Sequence, residues 1–234
     1  MDNKMREWDS SYLNRDNFLF YPHEEVIRFA AKYIVKQVGL NEFSSIHSLR
    51  GQPKILDVGC GIGRHIYYFH NLGLDSYGVD LSNEAIKVAR QWGSNLNIPE
   101  IENKVIQGDI QNIPWDSETF DYAVSHGVFD STYFRIAKNA FRETARILKK
   151  NGLFYCDFIS GDDSDHAREF CGEEVVETQH ENGTIQMYYN YAKIQELIQD
   201  EFDILEVNLI RRENVLSGSF HSRYHLVLRK KDNE

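Results

Sequence analysis

Lys54-Ile55-Leu56-Asp57-Val58-Gly59-Cys60-Gly61-Ile62-Gly63-Arg64-His65 sets where the sheet of this chain begins. Ile55, Leu56 and Val58 form a short apolar run suited to a buried parallel strand. Three alternate glycines follow, and Ile66 to Leu72 then reads as a helix. Glycines at such a turn let the backbone approach a ligand where any Cβ would collide. A phosphate-cradling dinucleotide turn needs its third glycine at position 64, but Arg64 stands there and Gly63 comes one residue early. Asp80 closes the next apolar segment, Tyr77-Gly78-Val79, 21 residues after Gly59. A ribose-binding carboxylate belongs at that distance. The pattern therefore points to an adenosine with a ribose and away from a pyrophosphate.

Five segments together resemble the class I S-adenosylmethionine-dependent methyltransferases. They are DVGCGIGR at Asp57–Arg64, VDLS at Val79–Ser82, QGDI at Gln107–Ile110, FDYAVSHGVFD at Phe120–Asp130 and LKKNGLFYCDF at Leu148–Phe158. The resemblance implies an α/β fold, a Rossmann-like seven-stranded and mostly parallel sheet in the order 3-2-1-4-5-7-6. Its last strand is antiparallel and its helices lie on both faces. It also implies S-adenosyl-L-methionine as cofactor and S-adenosyl-L-homocysteine as product.

By that resemblance Asp80 accepts both ribose hydroxyls and Leu81 packs an adenine face. Asp109 and the backbone of Ile110 meet the adenine amino group. Asp57 holds the ligand ammonium, directly or through water, and the carbonyl of Ser125 meets it too. Gly59, Gly61 and Gly63 lie against the methionine moiety. Arg64 either meets the ligand carboxylate or is a helix-surface arginine. The sulfonium is already an activated methyl donor, so the protein mainly supplies placement and a dry site. A base helps where the acceptor is a hydroxyl or a protonated amine. His126 follows the fourth strand and is the candidate, either as that base or as a contact without proton transfer. Tyr12, Tyr21 and His180 are the candidate acceptor contacts, and His225 is expected to be structural.

The 234 residues suffice for one sizeable α/β core and are few for two. A formal charge of −10 argues against a nucleic-acid surface. Three cysteines without a C-x-x-C indicate neither a disulfide framework nor a zinc site. Residues 1 to 20 lack the apolar segment of a signal peptide, and no run is long enough to span a bilayer. The expectation is a reduced, soluble, cytoplasmic protein with a small-molecule acceptor, no nucleic-acid or membrane partner, and an oligomeric state left open.

One domain over 1–234 is expected, with a lid and helix in 1–50 and an insertion at 160–190 covering the acceptor. Trp8 to Pro22 is aromatic but not periodic, and forms either a lid or a plug at the sheet end. A helix is expected from about His23 to Val38, stopped by Gly39, and a linker from Asn41 to Pro53. Ser82 and Asn190 are expected helix caps, and Phe134 to Lys149 carries the clearest apolar stripe. Asn182-Gly183 marks a hairpin turn. Asp162, Asp163, Asp165 and His166 read as a solvated loop rather than a metal site. The rival function is a non-catalytic S-adenosylmethionine-binding module or partner subunit. A nicotinamide oxidoreductase is disfavoured by Arg64.

Overall fold

The computed structural model describes residues 2–15, 17–46, 51–166, 169–177 and 183–232. Seven strands make the main sheet: β3 (Lys54–Val58), β4 (Asp75–Asp80), β5 (Val105–Gln107), β6 (Phe120–Val124), β7 (Leu148–Ile159), β10 (Phe202–Glu213) and β11 (Phe220–Lys230). Their order across the sheet is β10-β11-β7-β6-β3-β4-β5. Counting only these strands along the chain, this is 3-2-1-4-5-7-6, with β11 antiparallel to both neighbours. The remaining pairs are parallel.

Strand alternation divides the core into two layers. Leu56, Ala123, Phe154, Cys156, Phe158 and Leu226 face one cluster together with α6 (Phe134–Ile147) and α7 (Tyr191–Ile198). Ile55, Tyr122, Val124, Tyr155 and Val227 face the other, packed by α2 (Glu24–Tyr33) and by Phe69 of α3 (Arg64–Asn71). Next to α3, Ile86 and Ala89 of α4 (Asn83–Asn95) join Val105 and Ile101 of α5 (Ile101–Lys104) in a third cluster. Two expected caps are present: Ser82 accepts from the Ala85 N–H and Asn190 from the Lys193 N–H.

Three segments depart from the sequence reading. Residues 2–13 form a helix, α1 (Asp2–Leu13), where no periodicity was evident. Asp9 ties it down, accepting from Ser82 Oγ at 2.6 Å and from the Glu84 N–H at the start of α4. The expected helix over 23–38 ends at Tyr33, and Val35–Gln37 (β1) pairs antiparallel with Phe43–Ser45 (β2). Gly39 therefore serves a hairpin turn, not a helix stop. The segment expected as linker supplies β2.

The insertion holds β8 (Gly172–Val175) and β9 (Ile185–Tyr188), an antiparallel pair in which Val175 faces Ile185, so the first strand lies further from the turn than a hairpin closed at Asn182-Gly183 would have it; Asn182 lies outside the described residues. Met187 and Tyr189 are buried in the main core. Excising 162–187 would therefore remove core packing as well as any cover.

Candidate functional site

A cavity of about 830 Å³ opens at the carboxyl ends of β3, β4, β5 and β6. Such crevices are where open α/β sheets bind ligands. Its wall takes Gly59 to Ile62 after β3, Asp80 and Leu81 at the end of β4, and Asp109 to Gln111 after β5. His126 to Val128 and Asp130 to Thr132 follow β6, and Arg223 and Gln186 come from β11 and β9. Lys4, Trp8 and Tyr12 of α1 close one side.

Asp80 is fixed by two backbone donors, the Gly61 N–H at 2.8 Å and the Ser82 N–H at 2.8 Å. It borders the cavity yet is surrounded by protein, and burial pushes its carboxyl up to about 6. The two N–H groups oppose that rise, and the nearby Asp57 and Asp9 add to it. Gly61 has φ +53°, and a Cβ there would fall 2.5 Å from Tyr12 Oη. A Cβ at Gly59 would overlap Val128. These two glycines border the cavity. Gly63 does not; it begins α3 at φ +87°, and its missing Cβ makes room for Tyr67.

Asp57 lies behind the turn, 2% exposed, with His65 Nδ1 at 3.3 Å from Oδ2. Neither carboxylate oxygen has a well-aligned hydrogen bond among the described residues. Asp109 borders the cavity while accepting from the Gln111 N–H at 2.9 Å. Ser125 is fully buried, its hydroxyl bonded to the Val58 carbonyl, and it is not part of the wall. Tyr12 reaches the cavity. Tyr21 does not; it is 75% exposed. His180 lies outside the described residues. His166 pairs with Asp163 at 2.8 Å and stacks on Phe170.

Beneath His126 lies a group of charges that the sequence reading missed. Asp157, in the middle of an apolar strand, is fully buried and accepts from Arg223 Nη1 at 2.6 Å and from the Gly127 N–H at 2.9 Å. Arg223 Nη2 binds Asp130 Oδ2, and Asp130 is 1% exposed. Burial pushes Asp157 up, but Arg223, His126 and the Gly127 N–H outweigh it and hold the carboxyl well below its usual range. Burial raises Asp130, with Arg223 opposing.

His126 Nε2 is 3.4 Å from Asp157 Oδ2, and Nδ1 is 3.1 Å from Arg64 Nη2. Burial drives this imidazole well below its ordinary value, Asp157 notwithstanding. His23, which caps α2, packs its ring 3.9 Å from that of His126 and is pushed down to about 4, again by burial. His225 bonds the Tyr155 hydroxyl at 2.9 Å, in keeping with a structural role.

The residues present fit S-adenosylmethionine: a glycine turn that a side chain would fill, and a carboxylate held at the cavity edge at the end of β4. Asp80→Ala is expected to weaken S-adenosylhomocysteine binding by about 1–3 kcal/mol in calorimetry, because two charge-assisted bonds to the diol are lost. Unchanged affinity would remove the ribose role. The raised pKa also sets a pH profile. Accepting from hydroxyls favours the carboxylate form, so affinity should be flat above about pH 7. It should fall as pH drops below about 6, where Asp80 takes a proton. For stability the sign is the reverse. A raised folded pKa contributes most below the unfolded value of 3.8, and that contribution is lost as pH rises through about 6.

Gly61→Val should leave a folded protein that gives no heat of binding, because a branched side chain at positive φ is strained and occupies the cleft. Normal binding by this variant would mean that the glycine turn is not the site.

Residues 56–156 match the sequence profile of the methyltransferase domain family. A sterol 4-C-methyltransferase of Caenorhabditis elegans is 26% identical over 184 residues, 70% of this chain and 52% of that protein. The uncharacterized methyltransferase YcgJ of Bacillus subtilis is 27% identical over 105 residues, 45% of this chain and 40% of that protein. The chain thus spans about half the length of the curated relatives it matches. A crystal structure of a SAM-dependent methyltransferase from Methanosarcina mazei superposes with a TM-score of 0.60 at 18% identity, covering 78% of this chain and 94% of that one, a likeness of fold. No helix among the described residues is long and apolar enough to cross a membrane. The five ordered motifs, the strand order and the matched region agree: residues 56–156 are similar to the methyltransferase domain family, and the fold is the one its solved structures share.

Proposed function

We propose that this protein transfers a methyl group from S-adenosylmethionine to an oxygen or nitrogen of a small-molecule acceptor. The observation that carries the proposal is one continuous cavity joining the Asp80 carboxylate to the His126 imidazole. When bound, the cofactor supplies an electrophilic methyl on a cationic sulfur. Asp80 would hold the ribose, Leu81 and Ile110 the adenine, and Gly59 and Gly61 the methionine chain. Asp109 would meet the adenine amino group, and Arg64 the ligand carboxylate. Trp8, Tyr12, Ile136 and Ile159 would exclude water and suit an acceptor with an apolar body. The insertion supports the loop after β6: Tyr189 Oη donates to the Phe129 carbonyl, Gln186 Nε2 to the Asp130 carbonyl, and Glu173 accepts from the Phe134 N–H.

The rival reading, a binding module without transfer, draws on Arg64 covering the His126 lone pair. Two measurements separate the readings. Calorimetry with S-adenosylhomocysteine tests the site, and methyl-labelled cofactor with a fractionated small-metabolite extract tests transfer. Binding with label in a small molecule supports the proposal. Binding without transfer to any fraction favours the module.

A further inference from the structure

A guanidinium has only donors, so at the 3.1 Å contact between Arg64 Nη2 and His126 Nδ1 the imidazole nitrogen must accept. The ring proton then sits on Nε2, facing Asp157 Oδ2 at 3.4 Å. The lone pair that a base would use is therefore the one Arg64 occupies. Arg64 spends this bond on a neutral ring while it borders the cavity beside Gly61 and Ile62. A carboxylate is a far better partner for a guanidinium, through shorter, charge-assisted and often bidentate bonds.

We propose that Arg64 masks the base: it holds the His126 lone pair until the carboxylate of the bound cofactor draws the guanidinium away. His126 can then take a proton only in the loaded protein. This rests on reading the cavity as a methyl-transfer site. The shift is driven by the difference between the two partners of Arg64, as any ligand-driven change must be. In the step that follows, Nδ1 of His126 takes the proton of the acceptor's O–H or N–H. The acceptor lone pair forms the bond to the methyl carbon, and the pair of the breaking C–S bond stays on sulfur. Asp157 faces the resulting imidazolium through Nε2–H. The acceptor must therefore carry a proton on its nucleophilic atom.

The five groups around His126 come from four elements. Arg64 and His65 lie on α3, His23 at the cap of α2, Asp157 on β7 and Arg223 on β11. His23 stays neutral above about pH 4, and Asp157 and Arg223 stay charged, so Arg64 is the one strong charge the cofactor could displace.

Nuclear magnetic resonance of histidine-labelled protein tests this, with the His126 signals assigned by their loss in His126→Asn. The probes are S-adenosylhomocysteine and 5′-methylthioadenosine, which shares the nucleoside but has no carboxylate. S-adenosylhomocysteine should change the Nδ1 shift and raise the His126 midpoint by about one pH unit. Methylthioadenosine should bind and leave both unchanged. Arg64→Gln and Arg64→Lys should bind methylthioadenosine normally. In Arg64→Gln the midpoint should be raised already in the free protein, with no further shift on adding S-adenosylhomocysteine. Equal shifts from the two ligands, or bound S-adenosylhomocysteine with His126 unmoved, would overturn the mask and leave the methyltransferase reading standing. Failure of S-adenosylhomocysteine to bind would overturn both.

Discussion

Arg223→Met is expected to cost about 3–5 kcal/mol of folding stability, among the largest effects available to a single change in this chain. Arg223 bridges Asp157 and Asp130, and both carboxylates are essentially inaccessible to water. Removing the cation leaves two buried carboxylates beside each other, and at least one must take a proton for the fold to persist. The measurement is the urea midpoint with its slope checked for constancy. The pH dependence gives a second readout with opposite signs in the two proteins. In the natural chain Asp157 is held low, so its contribution is present above the unfolded carboxylate range and is lost as pH falls through its folded value. In Arg223→Met both carboxyls should rise, so the variant should gain stability relative to the natural chain as pH is lowered towards 5. A midpoint within about 0.5 kcal/mol of the natural chain would mean that the triad contributes nothing.

The second large effect concerns turnover. His126→Asn keeps an oxygen that can accept from Arg64 but cannot take a proton, and methyl transfer should fall by about 10²–10⁴-fold. Affinity for S-adenosylhomocysteine should stay nearly the same. A fall below tenfold would leave His126 as a positioning contact, and a large loss of affinity would place it in the methionine pocket. Because burial drives this imidazole well below its ordinary value, its protonation should not break the acid limb near pH 6.5. The acid limb of turnover should break below 6.5, at the midpoint that resonance gives for His126 in the loaded protein.

The sheet was legible because its signals are local. Ile55, Leu56 and Val58 run into glycines, Ser82 and Asn190 cap helices, and Ala137, Ala140, Phe141, Ala145 and Leu148 repeat at helical spacing. The α1 helix was not legible, because what holds it lies more than 70 residues away, at Ser82 and Glu84. The run from Val26 to Val38 kept its four-residue spacing through a real boundary, since Ile34 and Val35 are buried whether the backbone turns or extends. Around the cavity, Asp80, Gly59 and Gly61 stand out by spacing in the sequence and border it in the structure, whereas Asp57 lies behind the turn and Gly63 makes room for Tyr67. The Arg223–Asp157–Asp130 group could not, because its members are 66 and 93 residues apart from Arg223. One signal did exist: Asp157 interrupts Leu153 to Ile159, and a carboxylate inside an apolar strand needs a partner.

The Asp9 contacts with Ser82 Oγ and the Glu84 N–H, together with Tyr12 Oη over Gly61, have a consequence for turnover as a cycle. α1 lines one side of the cavity, so on the methyl-transfer reading proposed above a nucleoside passing on that side would have those two hydrogen bonds to open and close in each round. Opening α1 would also part Lys4 from the Tyr133 ring and Met5 from Gln107 but would leave the sheet intact, a local event far cheaper than unfolding it. The pace of the enzyme would then be set at this latch, by product escape, while the bond-making step beneath it waits.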